Sequence, residues 1–165
     1  MALRPLTALA LAFVLCCLVL PWASPAAACF GPKLYIGVAA DARQELLYAL
    51  TALYVQEKTG IESERVRLAE GESPLAALSA DRVDMVFIAT VPVGTDSLLA
   101  WPGYPALVSG SRPLTDLQFT TVVPALRKLA GLLTPRELTE LESKVAAGET
   151  PTAAARRLFM ERRWL

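Results

Sequence analysis

Hydrophobic positions along this chain follow three rhythms, and each predicts a different element. The first is an almost entirely apolar run from Leu6 to Leu20, preceded by Arg4 and broken by Pro21. A basic residue ahead of a short apolar core is the pattern of an export signal, and the run falls short of the roughly 20 residues that a spanning helix requires. The second rhythm is that of strands. "KLYIGVA" (Lys33 to Ala39) and "DMVFIAT" (Asp84 to Thr90) read as buried strands, and "ERVRLAE" (Glu64 to Glu70) alternates polar and apolar residues as a half-buried one does. The third is helical. From Ala42 to about Lys58, Leu46, Leu50, Leu53 and Tyr54 fall on one side, with Asp41 placed to cap the start and Gly60 to end it. "SPLAALSAD" predicts a short helix capped by Ser73 with Pro74 at its first position.

Beyond Thr90 the rhythm is lost for some 25 residues. "VPVGTDSLLAWPGYPALVSGSRPL" holds four prolines and three glycines, so the stretch to 117 is expected to be loop and short strand. A helical pattern resumes at Phe119, with Val122, Leu126, Leu129 and Leu133 on one side. Two closing helices follow. Thr134, Pro135 and Glu137 form a capping-box start, Gly148 stops that helix, and Thr150 with Pro151 starts another that carries Ala154, Leu158 and Phe159 on one side.

The order β-α-β-α-β predicts an α/β fold: a small parallel-type sheet with flanking helices, joined by right-handed crossovers. Ligands of such sheets sit outside the carboxyl ends of the strands, which directs attention to Ala39–Glu45 and Thr90–Gly94. The closing helices are expected to bury Leu138, Leu141, Val145, Leu158 and Phe159 against a core built on Ile36, Leu50 and Val86.

Composition narrows the chemistry. Ala26-Ala27-Ala28 precede Cys29, so residues 1–28 read as a signal peptide, with either simple cleavage after Ala28 or lipidation of Cys29 at the new terminus. Both put the protein in the periplasm or cell envelope, soluble in one case and lipid-anchored in the other. All 16 acidic residues and 15 of the 16 basic ones lie beyond Ala28, which leaves residues 29–165 near neutrality and implies no nucleic-acid partner. The chain has no histidine, and Cys29 is the last of its cysteines. A Ser-His-Asp triad, haem attachment through cysteine pairs and the common zinc sites are thereby excluded, and no cofactor, metal or enzymatic activity is expected.

Two stretches carry a family resemblance. "KLYIGVAADARQELLYALTALYVQEKTGIE" resembles the start of the quaternary-amine substrate-binding proteins of ABC importers, which take glycine betaine, choline and proline betaine. "LTPRELTELESKVAAGETPTAAARRLF" is similar to the last helices of that family. The resemblance implies one lobe of a type 2 periplasmic-binding fold, spanning 29–165, with an irregular loop at 91–117 in place of the second lobe and closing helices over 119–165. It implies a non-catalytic solute-binding module for a small amine or amino-acid-type ligand, working with an ABC permease or another envelope protein, or with a second copy that completes the cleft. The alternative is a degenerate lobe that serves as an envelope scaffold without a ligand.

Candidate ligand residues follow from both lines. Ala40, Asp41, Arg43 and Gln44 lie in the first strand–helix turn, and Thr90 ends the third strand. Asp41 and the amides after it suit either plain N-capping or an anionic ligand group, with Arg43 offsetting the aspartate. Trp101 and Tyr104 suit either packing of the Pro-rich loop or the aromatic faces that a quaternary ammonium needs. Arg156, Arg157, Arg162 and Arg163 are read as helix-end cations, and Glu137, Glu140 and Glu142 as a solvated face with a capping role.

Overall fold

Strand β1 (Lys33–Val38) runs into helix α1 (Ala42–Thr59), which leads to strand β2 (Glu62–Arg67), helix α2 (Pro74–Ser79) and strand β3 (Met85–Ile88). These are elements of a computed structural model that describes residues 31–164, so the export segment and Cys29 lie outside the described residues. Two further strands follow, β4 (Ser97–Leu99) and β5 (Ala106–Ser109), then a short helix α3 (Arg112–Thr115), a 3-10 turn at Leu117–Phe119, and helices α4 (Val122–Leu132), α5 (Pro135–Ala146) and α6 (Pro151–Glu161).

The sheet has five strands in the order β2-β1-β3-β5-β4. β1 pairs in parallel with β2 and β3, as the crossover rule predicts. The expectation of a parallel-type sheet holds only for those three. β5 runs antiparallel to both β3 and β4, so the sheet is mixed. The segment 91–117 is accordingly more than an irregular loop: its apolar pieces are too short to read as strands alone, yet Leu98, Leu99, Leu107 and Val108 are buried once the sheet edge pairs with them.

Helix ends obey the local signals. The Asp41 carboxylate accepts the Arg43 N–H at 3.3 Å, and Gly60 closes α1 in the left-handed region at φ 74°. Ser73 caps α2, Thr150 caps α6, and the capping box of Thr134 and Glu137 is formed at the start of α5. One strand boundary moves. β2 occupies Glu62–Arg67 instead of Glu64–Glu70, because the Gly60 turn delivers the chain to the sheet earlier and the carboxylate of Glu72 folds Ala69 into a turn.

The two faces of the sheet are covered unequally. Leu34, Ile36 and Val38 of β1, Met85 and Phe87 of β3 and Leu107 of β5 face α1, α4, α5 and α6 in one large core. Val66, Val86, Ile88 and Val108 face the six-residue α2 in a smaller one. Gly37 belongs to this thinner side, where a Cβ would stand 3.0 Å from Val86 and 3.3 Å from Leu68, so any larger residue crowds the two layers. Of the residues expected beneath the closing helices, Ile36 and Leu50 share their core but Val86 does not, because alternation along β3 turns it to the opposite face. Leu138, Leu141, Leu158 and Phe159 are buried there and Val145 is half-buried.

β2 is an edge strand whose two faces carry opposite charge. Val66 points to the α2 side with Glu62 and Glu64 in phase with it, while Arg65 pairs with Glu45 of α1 on the other side, in phase with Ser63 and Arg67.

Phe159 is fully buried and packs edge-on against Tyr54 at 5.6 Å, joining α6 to α1. Phe159→Ala should lower the unfolding free energy by about 3 to 5 kcal/mol, whereas Met160→Ala, one residue along and exposed, should change it by less than about 0.5 kcal/mol. Chemical denaturation of the two variants checks this; equal effects mean that α6 does not seal the core.

Candidate functional site

The turn after β1 is held by its own side chains. Gln44 accepts the Ala39 N–H through Oε1 at 2.9 Å, and Asp41 is taken up by capping, so both have structural partners, while Ala40 stays exposed. Arg43, the next residue around the helix start, reaches across to α5. Its Nε lies 2.9 Å from Glu142 Oε1, and its guanidinium stands 5.8 Å from the centre of the Tyr104 ring. The Tyr104 hydroxyl donates to Glu142 Oε2 at 3.2 Å and lies 3.3 Å from Thr139 Oγ1. Arg43, Tyr104 and Glu142 thus form one cluster at the carboxyl end of the sheet.

Beside the cluster is a hollow of about 350 Å³ between the first turn of α1 and the last turns of α5, lined by Ala42, Arg43, Leu46, Glu142, Val145 and Ala146. Four of the six are aliphatic. Glu142 Oε1 is shut off from solvent, and its partner is the Arg43 guanidinium, an ion pair that closes off the polar side of an otherwise apolar hollow.

The remaining candidates are arranged differently. Trp101 is buried in the large core, and its indole N–H donates to the Leu133 carbonyl at 3.0 Å, closing the last turn of α4. Its ring packs the protein. Thr90 is exposed in the loop after β3. Two of the four closing arginines are engaged: Arg157 bonds Glu149 and Glu161, and Arg162 meets Glu137 Oε1 at 2.7 Å, where Glu137 is buried and also completes the capping box. Among the described residues no group of three or more His, Cys, Asp or Glu is arranged to hold a metal ion, and no helix is long and apolar enough to cross a membrane.

Glu142 was legible in principle. Leu138, Leu141 and Val145 mark the inward side of α5, and Glu142 stands four residues after the first and three before the last. Asp84 carried a weaker signal as an acid at the mouth of a buried strand. It lies at the opposite end of the sheet, 6% exposed, and accepts from Tyr35 N–H at 2.7 Å and from Arg112 at 3.0 and 3.1 Å. Three hydrogen bonds from the protein already meet its two oxygens.

No family model matches the chain, no curated protein matches it, and no solved structure matches its fold. The geometry of the site therefore carries the functional argument.

The turn after β2 borders the same end of the sheet. Glu72 accepts the Ala69 N–H and pairs with Arg82 at 2.6 Å, and these two, the backbone bond first, hold its carboxyl below its ordinary value of 4.5. A depressed carboxyl adds stability that is present above pH 4.5 and lost as the pH falls through the folded-state value. Glu72→Gln should therefore be less stable than the parent at pH 7, and the difference should shrink below pH 4.5. Thermal melts across that range check the sign, and a constant difference at all pH values contradicts it.

Proposed function

We propose that this chain is an exported, non-catalytic binding module: one lobe of periplasmic-binding type that takes a small amine or amino-acid-type ligand at the carboxyl ends of its strands. The observation that carries the reading is the Arg43–Tyr104–Glu142 cluster, which sets a cation, an aromatic face and a carboxylate around one hollow where open α/β sheets receive ligands. Packing of the closing helices on α1 supports the lobe reading, since the resembling family returns its chain to the first lobe in the same way. The partner is an ABC permease or another envelope protein, and a second copy offers a way to cover an open site.

Melting against a panel of betaines, choline, amino acids and phosphate tests this. A ligand present at 100 times its dissociation constant adds about 2.7 kcal/mol, a shift of several degrees in a domain of this size. An unchanged melting temperature throughout the panel rejects the ligand. The reading that then stands is an envelope scaffold, which one observation favours already: Trp101 is committed to the core, so the aromatic cage of a quaternary-amine site lacks that wall.

Export carries its own prediction. The mature protein should begin at Cys29, with a lipid mass if the cysteine is acylated and without one if Ala28 is simply the cleavage point. Intact mass of the membrane and soluble fractions decides, and a protein that keeps residues 1–28 in both contradicts export.

A further inference from the structure

We infer that the hollow between α1 and α5 selects a small aliphatic α-amino acid, and that it discriminates against quaternary amines; this rests on the binding-module reading above. The selecting group is Glu142. Its Oε2 accepts from the Tyr104 hydroxyl, and Oε1 is covered by Arg43 at 2.9 Å, so it opens to a ligand when Arg43 swings away. An ammonium with N–H groups then supplies a donor in place of the guanidinium. A quaternary ammonium has no N–H to give and would leave the oxygen as it is, while also pressing methyl groups against it.

Arg43 provides the second pole. Only its Nε is engaged, at 2.9 Å from Glu142, and its two Nη groups make no hydrogen bond among the described residues. Its side chain is 56% exposed, so the guanidinium is free to turn its fork toward an incoming carboxylate, which suits bidentate pairing. Arg43 and Glu142 hold each other while the site is empty. A zwitterion replaces that one contact by two, ammonium on glutamate and carboxylate on arginine, without leaving either charge unpaired.

The body of the ligand is set by the walls. Ala42, Leu46, Val145 and Ala146 offer aliphatic surface and no further polar side chain, and about 350 Å³ is roughly ten times the ~30 Å³ share of one water. That space suits a short branched side chain. Tyr104 stands over the guanidinium and fixes Glu142, which makes it a positioning residue.

Four probes separate the parts of the inference: L-valine, isobutylamine, isobutyrate and glycine betaine, each titrated into the protein produced from the full-length chain and followed by amide chemical shifts. Valine should shift residues around Arg43 and Glu142 and bind about tenfold or more tightly than isobutylamine or isobutyrate, since each lacks one charged contact. Glycine betaine should leave those residues unmoved. Glu142→Gln and Arg43→Gln should each weaken valine about tenfold or more, and Ala146→Leu, at an exposed position, should block the hollow with the melting temperature unchanged. Betaine binding as tightly as valine overturns this inference and leaves the binding module standing, as does valine binding that ignores Glu142→Gln. Isobutylamine equalling valine removes Arg43 from the site and overturns the amino-acid assignment. Shifts with none of the four, together with no response in the melting panel, overturn both readings.

Discussion

Burying the carboxylate of Asp84 constrains the sheet from its amino end. A charge 6% exposed must be met by its surroundings, and here the partners come from two other stretches of chain. Tyr35 of β1 donates its backbone N–H to the carboxylate, and Arg112 beyond β5 donates to both oxygens while its Nη2 reaches the Lys33 carbonyl at 2.8 Å. The backbone of Asp84 adds two more ties, donating to the Tyr35 carbonyl at 2.7 Å and accepting from Gly110 at 2.8 Å. β1, β3 and the exit of β5 are thereby gathered at one point. The guanidinium that completes the knot lies over the Phe119 ring at 4.7 Å, which carries the constraint into the start of α4.

That knot explains why the chain after β3 turns back instead of crossing over again. Arg112 must return to the amino end of β3, so the strand leading to it runs antiparallel, and β4 pairs outside it. The carboxyl end is left to loops and to the starts of helices. The buried Asp84–Arg112 pair thus lies at one end of the sheet and the more exposed Arg43–Glu142 pair at the other.

Most of the fold was legible where local chemistry decides it. Caps, capping box, glycine stops and the inward faces of α1, α4, α5 and α6 follow from residue type and period 3.6, and the structure has them at the expected residues. What escaped was set by distant partners. β4 and β5 are short pieces of apolar chain among prolines, and only the pairing of β5 with β3 and of β4 with β5 makes them strands. The site divided along the same line: Arg43 and Tyr104 stood out as a cation and an aromatic in a loop, but Trp101, of the same kind and nearby, went into the core, since a backbone carbonyl at Leu133 was waiting for its N–H. The solvated face expected of Glu137, Glu140 and Glu142 holds only for Glu140: Glu137 is buried by its capping box and Arg162, and Glu142 is half-buried against Arg43 and Tyr104.

The segregated charges of β2 govern how far this sheet can grow. Two copies that join antiparallel edges about a two-fold axis keep the same side of each sheet uppermost, so a residue can only oppose one from its own face. Glu62, Glu64 and Val66 then meet one another across the seam, and Ser63, Arg65 and Arg67 do the same on the reverse. A register centred on Glu64 opposes acid to acid, and one centred on Arg65 opposes base to base, each a destabilising arrangement. The β2 edge thus works against pairing with its own copy in those registers, one way in which a sheet edge avoids extending itself.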